Sequence, residues 1–497
     1  MPQDGNAVDW FLDRHAREGR GDRVAFADPS RTITYADLTR QTRRFASALT
    51  RSGIRREERI VLVMQDTIDF PIAFWGALRA GVVPVPINTM LTAETMDYIM
   101  RDSRAVATVV SETLRDGVPL VSGSKPISDM ASFLATGTED TPTEDASPDE
   151  VAFWLYSSGS TGAPKGVRHV HASLRFTAET YGKQVLGIRS DDTMFSAAKA
   201  FHAYGLGNAM TFPMSVGAST VFLPGRPTPD AVLETMRQHQ PTIFGGVPTL
   251  YAGLLANPSI GPGAGSDRLR RCISAGEALP ADIGLRWKSM VGTDILDGIG
   301  STEMLHIFIS NRPDDIRYGT SGKPVPGYEA VVLDEHARPV PHGEAGELVV
   351  KGASAADGYW NLRAKTRSTF RGDWTHTGDT YIRDADGYYR YQGRRDEMLK
   401  VSGIWVSPFE VEEALISHPA VLEAAVVGHE DRDGLTKPRA FVVLRDADTD
   451  RDALTEALKS HVKERIGAWK YPRWIEFVDS LPKTATGKIQ RFRLRVP

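Results

Sequence analysis

The sequence predicts an α/β fold: a large N-terminal part built from parallel-type strand–helix units, then a β-rich subdomain, then a small α+β unit at the C-terminus. Three observations carry this prediction. Short apolar runs alternate with helix-length amphipathic segments up to about residue 300, the pattern of crossover units on a parallel sheet. Beyond about residue 320 the runs become short and β-rich, and the last hundred or so residues return to mixed strand and helix. At 497 residues the chain also exceeds what a single hydrophobic core supports, so two or more domains are expected.

In chain order, residues 59–64 (RIVLVM) read as a strand, 70–80 as a helix, 82–87 (VVPVPI) as an extended segment and 105–110 as a further strand. Residues 136–150 (TGTEDTPTEDASPDE) are acidic and proline-containing, which predicts a solvated surface linker. The apolar run 151–156 (VAFWLY) reads as a strand that ends at a turn. Alternation resumes with strands at 220–223, 242–247, 272–275 and 294–296, and 257–267 (NPSIGPGAGSD) is a loop. The β-rich part contributes 330–333 and 346–350. The final unit contributes strands at 423–428 (EAAVVG) and 438–444 (PRAFVVL) and an amphipathic helix at 452–466.

Chemistry enters at residues 156–167, YSSGSTGAPKGV. Three glycines let successive N–H groups turn inward, four hydroxyls add donors, and Lys165 adds charge, so an anion such as phosphate is the natural guest. The run is not a P-loop of the NTPase kind, which has glycine before the lysine and Ser or Thr after it; here Pro164 precedes Lys165 and Gly166 follows. A hydrophobic fraction of 41%, a charged fraction of 25% and a net charge of −4 describe an ordinary globular protein without the basic surface of a nucleic-acid binder. The one cysteine, Cys272, leaves no internal disulfide and favours a reducing compartment. Residues 1–20 lack the apolar core of a signal peptide and no apolar run is long enough to span a bilayer, so the expectation is a cytoplasmic protein away from membranes.

Residues 156–167 resemble the phosphate loop of the adenylate-forming superfamily, which comprises acyl-CoA synthetases, peptide-synthetase adenylation domains and firefly luciferase. Further blocks match that family in its order: 201–205 (FHAYG), 274–280 (SAGEALP), 297–303 (DGIGSTE), 377–379 (TGD), 391–403 (YQGRRDEMLKVSG) and 482–491 (PKTATGKIQR). The resemblance implies a large adenylation domain, 1–394, and a small mobile C-terminal domain, 395–497. It implies that Ser157, Ser158, Gly159, Ser160, Thr161, Gly162 and Lys165 bind ATP phosphates, that Gly276, Glu277, Asp297 and Arg394 help hold the nucleotide, and that Asp379 takes the ribose hydroxyls. Thr302 offers a hydroxyl to phosphate, and Glu303 is the hard oxygen ligand that suits Mg²⁺ on ATP. Lys488 would bridge the substrate carboxylate and the α-phosphate, where neutralising two anions is a large catalytic effect. His202 sits where family members gate the acyl pocket. Asp396 takes the hinge position; rotation there would withdraw Lys488 and bring in the face of Lys400 and Gly403 for coenzyme A.

Within the superfamily the blocks AFWLYSSGSTGAPKGVRHVH, FSAAKAFHAYGLGNAMTFPMSVGA, DILDGIGSTEMLHIFISN and LKVSGIWVSPFEVE look like those of benzoate and hydroxybenzoate CoA ligases. By that likeness Ala203, Tyr204, Gly298, His306 and Ile307 line an aryl slot. His202 departs from the second aromatic residue expected there, so hydroxy-, amino- and halobenzoates stand beside benzoate as candidates. The activity implied is an ATP-dependent, AMP-forming acid–thiol ligase that makes an aryl-CoA through an aryl-adenylate and releases pyrophosphate. The alternative acceptor is a carrier-protein phosphopantetheine, and a homodimer is left open. A nucleotide-binding regulator without chemistry would not need Glu303, Asp379 and Lys488 together.

Overall fold

The computed structural model describes residues 5–119, 121–157, 163–395, 397–401, 404–432, 435–446, 450–467, 470–483 and 489–495. Its largest element is a nine-stranded sheet. Six strands at its centre run parallel in the order Ile295–Gly300, Arg271–Ser274, Ile243–Gly246, Thr193–Ser196, Ser219–Val221 and Val24–Ala27, and antiparallel strands close both edges. A second, four-stranded parallel sheet orders Val83–Pro86, Arg59–Val63, Ala107–Val110 and Lys125–Ile127. Both follow from short, almost wholly apolar strands, which are stable only when covered on both faces.

The helix Asp69–Arg79 is one such cover. It is buried at every position from Phe70 to Arg79, and a side chain on Gly76 would come within 2.7 Å of the Phe45 ring of the neighbouring helix Tyr35–Arg51. Arg79 tolerates burial because its guanidinium meets both carboxylate oxygens of Asp13, at 2.6 and 3.0 Å. Surface helices start at side-chain caps: Thr34, Thr92, Thr228 and Ser407 each accept an N–H from the first turn.

The strand Val151–Ser157 pairs antiparallel with Lys165–Val170, so the glycine–serine segment connects two strands of a hairpin. The β-rich part is a five-stranded antiparallel sheet built around Ala345–Lys351 and Trp374–Arg383. The C-terminal unit has its own core, with Val411, Leu415, Val426, Val442 and Leu458 among its buried members, where helices Pro408–Ile416 and Arg451–Ile466 meet the strands Val421–Glu430 and Thr436–Leu444.

Two strands differ from the sequence reading. Thr193–Ser196 is a central strand that the sequence did not announce, being only four residues between polar flanks. The run expected at 294–296 continues as Ile295–Gly300, because pairing with Ile307–Ser310 carries the strand through its glycines. The acidic segment 136–150 is the largely exposed linker the sequence predicts, tied down at a few points: Ala146 is buried, Asn6 donates to Glu144 O at 3.1 Å, and Thr143 joins the Arg79–Asp13 pair. Among the described residues no helix is long and apolar enough to cross a membrane.

Candidate active site

In parallel sheets of this kind ligands usually bind beyond the C-terminal ends of the strands. The strand Ile295–Gly300 carries Asp297 and Gly298. A side chain on Gly298 would lie 2.7 Å from Ile309 O and 2.8 Å from Ile307 Cγ2, so only glycine fits against this neighbouring strand. Asp297 is 4% exposed, and burial pushes its carboxyl up to about 8 although Leu279 N–H donates to it at 3.3 Å.

Tyr204 donates its hydroxyl to the carbonyls of Gly246 (3.1 Å) and Ile273 (3.0 Å), pinning the ring across two strand ends. Its own carbonyl accepts from His306 Nε2 at 3.3 Å, which puts the proton on that nitrogen. His306 is 2% exposed, packs against the rings of Tyr181, Tyr204 and Phe212, and is driven down to about 3 by burial, so the imidazole is neutral. A side chain on Gly207 would meet this ring at 2.4 Å. His202, part-buried beside Phe201 at 4.6 Å, keeps its Nε2 buried without a hydrogen-bond partner among the described residues, and burial lowers it to about 4. Ala203 is buried next to it.

On the nucleotide side, Asp379 and Arg394 face each other on paired strands. Arg394 Nη1 donates to Asp379 Oδ1 at 3.1 Å and to Thr377 O at 3.0 Å. Gly378 adopts φ +73°, which turns Asp379 toward this arginine. Glu303 Oε1 accepts the Tyr359 hydroxyl at 2.8 Å, and Lys165 Nζ lies 5.1 Å from the centre of the same tyrosine ring. Burial lowers Lys165, and the Glu303 carboxylate opposes that shift. Thr302 is held through its carbonyl, which accepts from the fully buried His169 at 2.8 Å. Ser157, paired in register with Lys165, has a buried hydroxyl without a partner among the described residues.

The loop carrying Gly276 (φ +96°) and Glu277 touches the C-terminal unit: Ile489 N–H donates to Glu277 Oε1 at 2.9 Å. Ser158, Gly159, Ser160, Thr161, Gly162, Asp396, Gly403 and Lys488 lie outside the described residues, as does the side chain of Lys400. The structure thus brings Asp297, Gly298, His306, Ile307, Ala203 and Tyr204 near one another, Glu303 near Lys165, and Asp379 against Arg394. Sequence reading missed Tyr359 and His169. Tyr359 carried no signal beyond an aromatic pair after a β-rich run, whereas His169 alternates with His171 in the strand after the loop.

The profile of the AMP-binding enzyme family matches residues 12–360, and that of the AMP-binding enzyme C-terminal domain matches 410–488. The chain is 51% identical over its whole length to the 4-hydroxybenzoate–CoA/benzoate–CoA ligase of Rhodopseudomonas palustris, spanning 95% of that protein. It is 53% identical to the benzoate–CoA ligase of Thauera aromatica, spanning 100% of this chain and 96% of that one. Among solved structures, a benzoate CoA ligase from Burkholderia xenovorans LB400 matches with a TM-score of 0.93 at 48% identity, over 99% of this chain and 100% of that one. An anthranilate CoA ligase in complex with anthranoyl-AMP also matches at 0.93, with 41% identity over 100% of this chain and 97% of that one. With two family profiles across most of its length and relatives more than half identical from end to end, the chain belongs to the AMP-binding enzyme family.

Proposed function

We propose that this chain is an ATP-dependent, AMP-forming ligase that converts benzoate or a hydroxy-, amino- or halobenzoate into its CoA thioester. What supports the reading is the grouping of Gly298, Ile307, Tyr204 and His306, which would form a flat, mostly apolar slot for the ring, near the Glu303 and Asp379 clusters. In the first half-reaction an acid oxygen attacks the α-phosphorus of MgATP. An O–P bond forms, the bond to the β-phosphate bridge breaks, and pyrophosphate leaves. Magnesium enters with ATP as substrate, and Glu303 offers it a hard oxygen; Lys165 and residues 157–162 neutralise the departing phosphates. Asp379 holds the ribose hydroxyls, with Arg394 keeping its carboxylate oriented. Thr302 faces the phosphate, Gly276, Glu277 and Asp297 border the nucleotide, and Lys488 spans acid and α-phosphate.

In the second half-reaction the CoA thiol attacks the adenylate carbonyl and AMP leaves. We assign the boundary between 1–394 and 395–497 as the pivot region, with Asp396 as the hinge. Rotation there exchanges Lys488 for the face of Lys400 and Gly403. A reducing cytoplasm suits the free thiol substrate, and a homodimer is compatible with the reading. His202 at the gate widens the acid range, since small ring changes alter binding by only about 1–3 kcal/mol in an apolar pocket.

AMP release with ATP, Mg²⁺ and CoA, measured against benzoate, 4-hydroxybenzoate, 2-aminobenzoate and a short fatty acid, tests this. Aryl turnover saturable in CoA is expected. Preference for the fatty acid would overturn the aryl assignment, and turnover only with a phosphopantetheinyl carrier protein would replace CoA as acceptor.

A further inference from the structure

Behind the slot lies a buried pair of opposite charges that the reaction does not use. Asp66 follows the strand Arg59–Val63 of the four-stranded sheet and is 1% exposed. Lys199 follows Thr193–Ser196 of the nine-stranded sheet, with its Nζ 3.9 Å from Asp66 Oδ2. The ammonium donates to the carbonyls of Leu223 and Gly225 (2.7 Å), with Pro224 O at 3.4 Å, all in the turn after Ser219–Val221. The carboxylate accepts the N–H of Ala200 at 3.1 Å. Three chain segments from two sheets therefore converge on two charges.

The segment they hold runs straight into the slot. Ala197 N–H donates to Gly245 O at 2.8 Å, His202 N–H to Lys199 O at 3.1 Å, and the short helix Ala203–Leu206 begins at once. There is no slack in this turn: a side chain on Gly205 would lie 1.9 Å from Lys199 O and 2.6 Å from Ala198 O. A displacement at 199–200 is therefore passed on to Ala203 and Tyr204. As a source of stability the pair is a poor choice, since desolvating two charges offsets most of their attraction and an apolar pair of equal volume does as well. What the charges add is direction: the ammonium orients three carbonyls of one turn and the carboxylate fixes the Ala200 N–H of another.

We propose that Asp66 and Lys199 are positioning residues for the acid substrate. They hold the 197–204 turn where Ala203 and Tyr204 border the ring, and so set acid affinity from outside the slot. The proposal rests on the reading above that this slot takes the acid.

The test compares wild type, Asp66→Asn, Asp66→Ala and the double variant Asp66→Ala/Lys199→Met in KM for benzoate, KM for ATP and thermal midpoint. Asparagine keeps an oxygen for the Ala200 N–H but removes the charge; alanine removes both; the double variant also removes the stranded ammonium. The benzoate KM is expected to rise from wild type to Asn to Ala, by about tenfold at the end of that series, as for a small misplacement of a substrate-positioning wall. The ATP KM should stay within about twofold. The double variant should regain thermal midpoint relative to Asp66→Ala while its benzoate KM stays high. A purely structural pair would instead lower the midpoint and the active fraction and leave the benzoate KM at the wild-type value, and that result overturns the proposal. Should Asp66→Ala not fold, a wild-type benzoate KM in Asp66→Asn overturns it equally. Failure of the underlying acid assignment is seen separately, as wild-type enzyme that releases no AMP in response to benzoate.

Discussion

In the acyl slot, Gly298 is pressed so closely against Ile309 O and Ile307 that no side chain can replace its hydrogen, and Tyr204 is pinned by two strand-end carbonyls. The C-terminal unit meets the rest of the chain quite differently, through contacts such as Ile489 N–H to Glu277 and the edge of Phe409 against Tyr391 of the five-stranded sheet at 5.3 Å. Its hydrophobic core is its own. One region is fixed by steric contact that nothing can loosen without loss of fit. The other is attached by directional contacts that can be exchanged for others at little net cost. Under the proposed function, recognition of the acid would use the first kind of construction, and a C-terminal unit that presents two faces in turn would use the second.

The sharpest way to break this contrast is Lys488→Ala. Adenylate formation should fall on the order of 10²–10³-fold, while thioester formation from pre-made aryl-adenylate stays near wild type. Equal loss in both half-reactions, followed by single-turnover assay, would mean that the C-terminal unit acts in one orientation only. Asp396→Pro should do the reverse and slow thioester formation, because proline fixes φ at the pivot; wild-type turnover would remove Asp396 as hinge.

Acid tests the rigid side. His169 and His306 are neutral in the fold, near 4 and 3 respectively, against about 6.5 when unfolded. Between these values the unfolded chain binds protons that the folded one does not, so the stability these two imidazoles contribute is complete above pH 6.5 and is lost as the pH drops toward 4. The loss is about 3 kcal/mol for each such group. A thermal midpoint that is flat from pH 7 to 4.5 would contradict the buried neutral imidazoles.

Gly298→Ala should raise the benzoate KM through about 1–3 kcal/mol of overpacking, with the ATP KM unchanged. An unchanged benzoate KM would mean that the ring binds elsewhere. The smallest effect is expected for Glu277→Gln, which weakens the acceptor for Ile489 N–H by about 1 kcal/mol. A few-fold change confined to adenylation would place this contact in the adenylating orientation, and equal changes in both half-reactions would not.

Much of this was readable before the fold. The parallel strands at 59–64, 82–87 and 105–110 announce themselves because strands buried on both faces are apolar throughout. The candidate acid and nucleotide residues were named through short motifs, each local, spread along much of the chain. Where reading failed, the determining contacts were distant. Thr193–Ser196 is a strand because its neighbours at 219–221 and 243–246 pair with it.

The sequence by itself determined the chemical inventory: the glycine–hydroxyl–lysine loop, the carboxylates at 297, 303 and 379, the lysine at 488, and their order. These are local patterns, legible because each residue type carries its chemistry with it. Only the tertiary structure decided that Tyr359 would meet Glu303 across 56 residues and His169 the carbonyl of Thr302 across 133. It alone joined Asp66 to the turn at Lys199. Such contacts arise from how sheets stack and strands register, and no local pattern of residues encodes them.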